Sequence, residues 1–201
     1  MENANPALQR LFIAISLPDE IKNEIEKTQA ELRRELPENF ARWTKRQQFH
    51  LTLKFLGNVN AENLKNLAVA LRGVGENFPS LRLRAEGIGF FPDWKFPRVI
   101  WVGARDESNL LPELQRAIEF AVRDFTSQKP EGKFAGHVTL GRIPRIKRSE
   151  TERLANIVGK FRGRFFGEWT GREVELIRSE LAPGGSRYAT IETAAFSQKA
   201  K

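Results

Sequence analysis

The chain of 201 residues has no cysteine, one methionine, one tyrosine and two histidines. Without thiols there can be no disulfide, Cys-ligated zinc, iron–sulfur cluster or thiol nucleophile. No apolar run approaches the roughly 20 residues that a membrane-spanning helix needs. The longest near the start, Leu11 to Leu17, is interrupted by Ser16. Met1 to Ala7 lacks the basic-then-apolar order of a secretion signal, so a cytoplasmic chain without membrane association is expected. There is also no Gly-x-Ser-x-Gly elbow for a Ser-His-Asp hydrolase and no Gly-Lys-Ser/Thr loop for ATP.

Against these absences stand 40% hydrophobic residues, enough for a sizeable core, and 33 Lys plus Arg against 25 Asp plus Glu. The resulting net charge of +8 favours polyanionic partners, nucleic acid first among them.

Each histidine stands in the same phrase, His50-Leu51-Thr52-Leu53 and His137-Val138-Thr139-Leu140. Strand alternation would put His and Thr on one face and two aliphatics on the other. Histidine, with an ordinary pKa of about 6.5, takes or gives a proton near neutral pH. One such phrase in an apolar stretch is ordinarily structural. Two that use the whole histidine complement point to matched polar sites anchored in a core.

The chain reads as strands interleaved with about four helices. Arg10 to Leu17 forms a strand, and a helix with Ile21, Ile25, Leu32 and Leu36 on one face follows Pro18 and ends near Pro37. Phe49 to Leu56 is a strand closed by Gly57-Asn58; the next helix carries Leu64, Leu67, Ala68 and Leu71, with Gly73 beyond its last turn. Leu81 to Glu86 and Val99 to Val102 are strands, Ser108 to Phe125 a long helix. The second His strand follows Pro130 to Gly132, and Ser149 with Glu152 makes a capping box for a helix through Leu154, Ile157 and Val158. Strands near Glu173 to Arg178 and Tyr188 to Thr193, joined across Pro183-Gly184-Gly185, close the chain, and Ser197 to Lys201 is expected to fray. With no linker, residues 1–201 read as a single bilobal domain. The expected fold is α+β, with two pseudo-symmetric lobes and a cleft between them.

If the two His strands face one another there, two imidazoles and two hydroxyls converge. Displacement at phosphorus uses a base on the attacking oxygen and an acid on the leaving one, which two histidines in opposite protonation states supply. Thr52 and Thr139 would donate hydrogen bonds to the non-bridging phosphate oxygens. Arg142 would add a charge-assisted contact. Its odd offset from His137 puts it on the far face of a regular strand, so it needs a bend, for which Gly141 is the candidate. No metal is expected: catalytic zinc takes three protein ligands, and neither phrase has Asp or Glu at i+2 or i+4. The residues alone leave open which histidine is acid and which oxygen departs.

These phrases resemble those of the 2H phosphoesterase superfamily, and more closely the RNA 2′,3′-cyclic phosphodiesterases, first known as 2′-5′ RNA ligases. The resemblance extends through Arg10 to Ile15, Phe49 to Gly57, Phe90-Phe91-Pro92, Pro97 to Trp101, Ser179-Glu180-Leu181, Gly184-Gly185 and Tyr188. It implies lobes of mainly antiparallel sheet with helices on the outer faces, and a monomer that needs no metal or nucleotide cofactor. His50 is then the acid protonating O3′, His137 the base activating water, and Thr52, Thr139 and Arg142 hold the phosphate. The implied reaction opens a 2′,3′-cyclic phosphate at an RNA end to a 2′-phosphate, with weak reverse joining of tRNA halves. Gly136 departs from the family, in which proline is usual at this point, and is expected to loosen the entry to the second strand.

Phe90, Phe91, Trp94 and Phe96 stand among Lys95 and Arg98 in a proline-punctuated segment. Such aromatics either stack bases or close over a core edge. Trp43, Phe90 and Tyr188 are candidate substrate contacts. The rival readings are an enzyme for small cyclic nucleotides or 2′-5′ oligonucleotides, and a noncatalytic RNA-binding module on the same fold.

Overall fold

The computed structural model describes residues 8–130, 132–144, 148–183 and 185–198, without the side chains of 148–150. The first half of the chain runs β1 (Leu8–Ser16), α1 (Asp19–Glu35), a short β2 (Arg42–Trp43), β3 (His50–Asn60), α2 (Leu64–Gly75) and β4 (Leu81–Phe91). The second runs β5 (Val99–Asp106), α3 (Leu110–Val122), β6 (His137–Arg142), α4 (Arg148–Gly159), β7 (Phe165–Gly171), β8 (Glu173–Ala182) and β9 (Gly185–Ala195). The strands pair antiparallel in the order β7-β4-β5-β6-β3-β1-β8-β9, with β2 on β6.

At the centre of this order β3 and β6 share a single pair, Leu51 opposite Val138. That narrow seam divides the sheet into two lobes built alike. Each contains a strand, a helix and a His-x-Thr strand in succession: β1-α1-β3 in one, β5-α3-β6 in the other. Each also receives a strand from the other half of the chain, β8 beside β1 and β4 beside β5. This is the α+β, two-lobed antiparallel arrangement expected from the sequence.

The helices lie on one side of the sheet because their apolar stripes bury there. Ile21, Ile25 and Leu32 of α1, Leu67 and Leu71 of α2, Leu114 and Ile118 of α3, and Leu154 and Ile157 of α4 share one core with Leu51, Leu53, Val138 and Leu140. Charge at the ends of α1 suits its dipole: Asp19 and Glu20 occupy the first turn, Arg33 and Arg34 the last. The opposite face of the seam is left for the polar partners of those aliphatics. A smaller cluster of Phe12, Ala14 and Ile177 lies under it in the first lobe.

Several elements depart from the sequence expectation. Gly57 does not close β3; it sits inside the strand at φ +69°, where Leu11 faces it and Phe12 faces Phe55. That shift is a bulge at Leu56. Gly73 lies inside α2 rather than beyond it. The long third helix stops at Val122 and continues only as a 3₁₀ turn over Arg123–Phe125. Helix α4 begins at Arg148, so Ser149 stands within it and not before it. Strands β2 and β7 have no counterpart in the sequence expectation. Ser197 is held by its N–H, which donates to the Phe78 carbonyl at 2.8 Å, while residues 199–201 lie outside the described residues. None of the described helices is long and apolar enough to cross a membrane.

Candidate active site

The single Leu51–Val138 pair organises the site. Both side chains are fully buried in the core, so His50, Thr52, His137 and Thr139, one residue to either side, face away from it. An antiparallel pair has local two-fold symmetry. It therefore sets His50 beside Thr139 and His137 beside Thr52 across the seam. Among the described residues neither threonine hydroxyl has a hydrogen-bond partner, which leaves both free for a ligand.

Each motif strand is then bent at the same point. In β6, Trp101 faces Thr139 and Ile100 faces Gly141, so Leu140 is an extra residue. In β3, Ala14 faces Thr52 and Ile13 faces Lys54, so Leu53 is extra in the same way. A bulge reverses the alternation beyond it. Arg142 thereby turns to the His137 side, and Phe55 turns to the His50 side at the equivalent position. The bend expected at Gly141 thus lies one residue earlier. Gly141 instead gives room to Trp43, whose ring would meet an added Cβ at 3.2 Å. The Leu140 carbonyl, displaced by the bulge, accepts from the Thr44 N–H at 2.8 Å and from Gln29 Nε2 at 2.9 Å.

The seam opens into a cleft of about 920 Å³ whose wall includes His50, Thr52, Thr139, Arg142, Trp43 and Tyr188. Arg10, Arg42 and Lys45 add positive charge along it, and Gln128 reaches it from the loop after α3. His137 is outside that wall, two residues from Thr139 on the same strand face. Its ring meets the edge of Phe91 at 4.8 Å between centroids and lies 6.4 Å from Trp101. Phe90, the residue singled out from sequence, points the other way and packs on the main core. Strand alternation in β4 selects its neighbour Phe91 for the site. Tyr188 is 5.5 Å from the His50 ring and 4.9 Å from Phe12. Trp43 takes the Arg33 guanidinium over its ring at 5.4 Å. Trp94 and Phe96 remain on an exposed loop.

Burial lowers the pKa of both histidines below the ordinary imidazole value. His137 Nδ1 donates to the Ala135 carbonyl at 2.8 Å, which leaves Nε2 of the neutral ring as a lone pair. The Arg142 charge lowers this histidine further. His50 Nδ1 is buried and meets no partner in hydrogen-bonding geometry, though the Gln48 carbonyl raises its pKa. Lys22 lowers it and Glu175 raises it. Tyr188 is raised by burial and stays a neutral phenol, although Arg10 and Arg142 pull it down. Among the described residues no group of three His, Cys, Asp or Glu side chains is placed to hold a metal ion.

Gly136 does not loosen the second strand. Its carbonyl accepts from the Ala104 N–H at 2.9 Å, and an added Cβ would lie 2.3 Å from the Ala104 oxygen. Glycine is what lets β5 approach this closely.

A cleft lined by one imidazole, two free hydroxyls and an arginine, with a second imidazole on the same face of the seam, suits phosphoryl transfer or phosphoester hydrolysis. The family model for LigT-like phosphoesterases matches residues 15–101. An RNA 2′,3′-cyclic phosphodiesterase of Methanocaldococcus jannaschii is 30% identical over 183 residues, which cover 91% of this chain and 98% of that one. A crystal structure from Thermus thermophilus superposes with a TM-score of 0.75 at 26% identity, covering 93% of this chain and 97% of that chain. Escherichia coli LigT complexed with 3′-AMP superposes at 0.73 and 27% identity, over 96% and 100% of the two chains. The chain belongs to the LigT-like (2H) phosphoesterases, a family of enzymes.

Proposed function

We propose that this enzyme opens RNA 2′,3′-cyclic phosphate ends to 2′-phosphates with two histidines and no metal. The observation that carries the reading is the single Leu51–Val138 pair, which brings one His and one Thr from each lobe to the same side of the seam. The names of its relatives and the 3′-AMP bound to E. coli LigT support a nucleotide phosphate as substrate.

In this mechanism water attacks phosphorus and gives its proton to His137 Nε2, the atom left unprotonated by the Nδ1 contact to Ala135. The P–O3′ bond breaks on the opposite side, and O3′ takes a proton from the His50 imidazolium. The product carries a 3′-hydroxyl and a 2′-phosphate. The two rings have then exchanged protonation states and reset through solvent. Thr52, Thr139 and Arg142 stabilise the charge on the non-bridging oxygens. Trp43, Tyr188 and Phe91 flank the nucleotide, and tRNA halves in the cytoplasm, processed by a monomer, fall within this reading, as does weak 2′-5′ joining by the reverse reaction.

The test is a short RNA ending in a 2′,3′-cyclic phosphate, incubated in excess EDTA with wild type, His50→Ala and His137→Ala, with the position of the product phosphate determined. A 2′-phosphate from wild type alone is expected. Turnover retained in both variants, or none by wild type, overturns the reading. A comparison with a cyclic-phosphate mononucleotide separates an RNA enzyme, which gains from the basic cleft, from one that acts on small nucleotides.

A further inference from the structure

The two histidines occupy equivalent positions in the duplicated scaffold, yet their strand neighbours differ in kind. Ser16 of β1 stands directly opposite His50, and Glu175 of β8 lies in line with Thr52 through Ala14. At the equivalent positions of the other lobe, Gly103 stands opposite His137 and Gly89 lies in line with Thr139 through Trp101. Directly paired residues share a face, so Ser16 and Glu175 are on the motif side of the sheet.

Neither glycine is replaceable by a carboxylate. A Cβ on Gly89 would fall 2.3 Å from the Trp101 indole, and one on Gly103 would fall 2.7 Å from the Glu86 carbonyl oxygen. The indole occupies in one lobe the space that the carboxylate occupies in the other. Glu175 is half-buried and both its oxygens are engaged: one accepts from the Ser16 hydroxyl, the other from Thr190 Oγ1 at 2.8 Å. Two donors fix the position of the carboxylate.

We infer that Glu175, held by Ser16 and Thr190, is the positioning residue that makes His50 and not His137 the proton donor. The inference rests on the two-histidine reading above and supplies the physical reason for its polarity. A carboxylate on the His50 side of the sheet stabilises its imidazolium, whereas the Arg142 charge near His137 disfavours one. The other groups facing His50 do not supply this charge. Lys22 from α1 is a cation, Tyr188 from β9 is a neutral phenol, and Phe12 from β1 is apolar. The Gln48 carbonyl and Glu175 both oppose burial and Lys22 there, and of the two Glu175 is the one that brings a full negative charge.

Because the chain has only two histidines, each imidazole can be followed by NMR as a function of pH without substrate, with His50→Gln and His137→Gln assigning the two signals. In Glu175→Gln, which keeps size and hydrogen-bonding capacity, the His50 titration should move to lower pH by about 0.5–1 unit while His137 stays put. The basic limb of the pH profile for kcat/KM should move by the same amount and the acidic limb should not. Glu175→Asp should restore most of both, and unchanged thermal melting would show that the variants fold. An unmoved His50 signal, equal movement of both histidines, a basic limb that stays while His50 shifts, or an Asp variant that behaves like Gln overturns the inference. If wild type opens no cyclic phosphate, the functional reading fails, and the NMR titration still decides whether Glu175 governs His50.

Discussion

The two motif strands are fastened from behind by different chemistry. In the second lobe the bulged Leu140 carbonyl is held by neutral groups, the Thr44 N–H and Gln29 of α1. In the first, the residue after the bulge is Lys54, fully buried, whose Nζ reaches Glu119 of α3 at 2.9 Å and the Lys129 carbonyl at 2.9 Å. So α1, which follows β1, clamps β6 of the other lobe, and α3, which follows β5, clamps β3. Each motif is braced by the opposite half of the chain, which keeps the two histidines in register even though one residue pair joins their strands. Duplication supplies matching backbones. Acid–base catalysis then needs the match broken, and it is broken at Arg142 against Phe55, Glu175 against Gly89, and Lys54 against Gly141.

The largest effect should come from the feature the lobes share. His50→Ala and His137→Ala should each lower kcat/KM on a cyclic-phosphate oligonucleotide by about 10²–10⁴-fold, the usual contribution of a positioned acid or base. The double variant should be little worse than the poorer single one, because groups that act as a unit are not additive. Steady-state kinetics of the three variants checks this. Near-normal activity in one single variant would mean that the symmetric backbone carries an asymmetric mechanism with one working histidine.

The two clamps should differ next, in stability. Lys54→Met takes the cation from the Glu119 carboxylate, whose side chain is only 15% exposed, and should cost about 2–4 kcal/mol in urea unfolding. Gln29→Leu removes donors to the Leu140 and Thr44 carbonyls and should cost about 1–2 kcal/mol. Only the second variant acts on the bulge that turns Arg142 inward, so it should raise KM about as much as Arg142→Ala does. A KM effect from Lys54→Met of the same size would show that the clamps are not separable.

Much of this is legible from the sequence because the signal is local. Alternation in His-x-Thr-x fixes which residues share a face, and helical spacing exposes α1, α2 and α3. What stays hidden depends on partners distant in the chain. The bend that delivers Arg142 is expected at Gly141, since glycine marks bulges. It falls instead at Leu140, an ordinary core leucine, because the register of β5 and the amide of Gln29 fix it there. Sequence favours Phe90 over Phe91 without warrant, because adjacent aromatics carry no sign of which faces the core until β4 has a partner. Strand β7, with Phe165 and Trp169 among Gly167, Glu168 and Gly171, alternates too weakly to be read without β4 beside it. Glu175 and Ser16 give no signal at all: a carboxylate and a hydroxyl 159 residues apart meet only when β8 crosses to the first lobe.

The smallest effect concerns what the buried histidines do to stability. Both have folded pKa values below the ordinary imidazole value of about 6.5 that they regain on unfolding. Between the lowered value and the ordinary one the unfolded chain binds the proton and the folded chain does not, so stability rises with pH there. The contribution is complete above about pH 6.5 and is lost as pH falls through the folded pKa values. The urea midpoint should therefore drop between about pH 7.5 and pH 5.5, before most carboxylates titrate. His137→Gln and His50→Gln should each remove part of that drop. The lobe whose surroundings tolerate an imidazolium worse should remove more, and Arg142 beside His137 against Glu175 beside His50 makes that lobe the second. A larger effect from His50→Gln would mean that burial and Lys22 at His50 outweigh the Gln48 carbonyl and Glu175 there by more than burial and Arg142 outweigh the Ala135 carbonyl at His137.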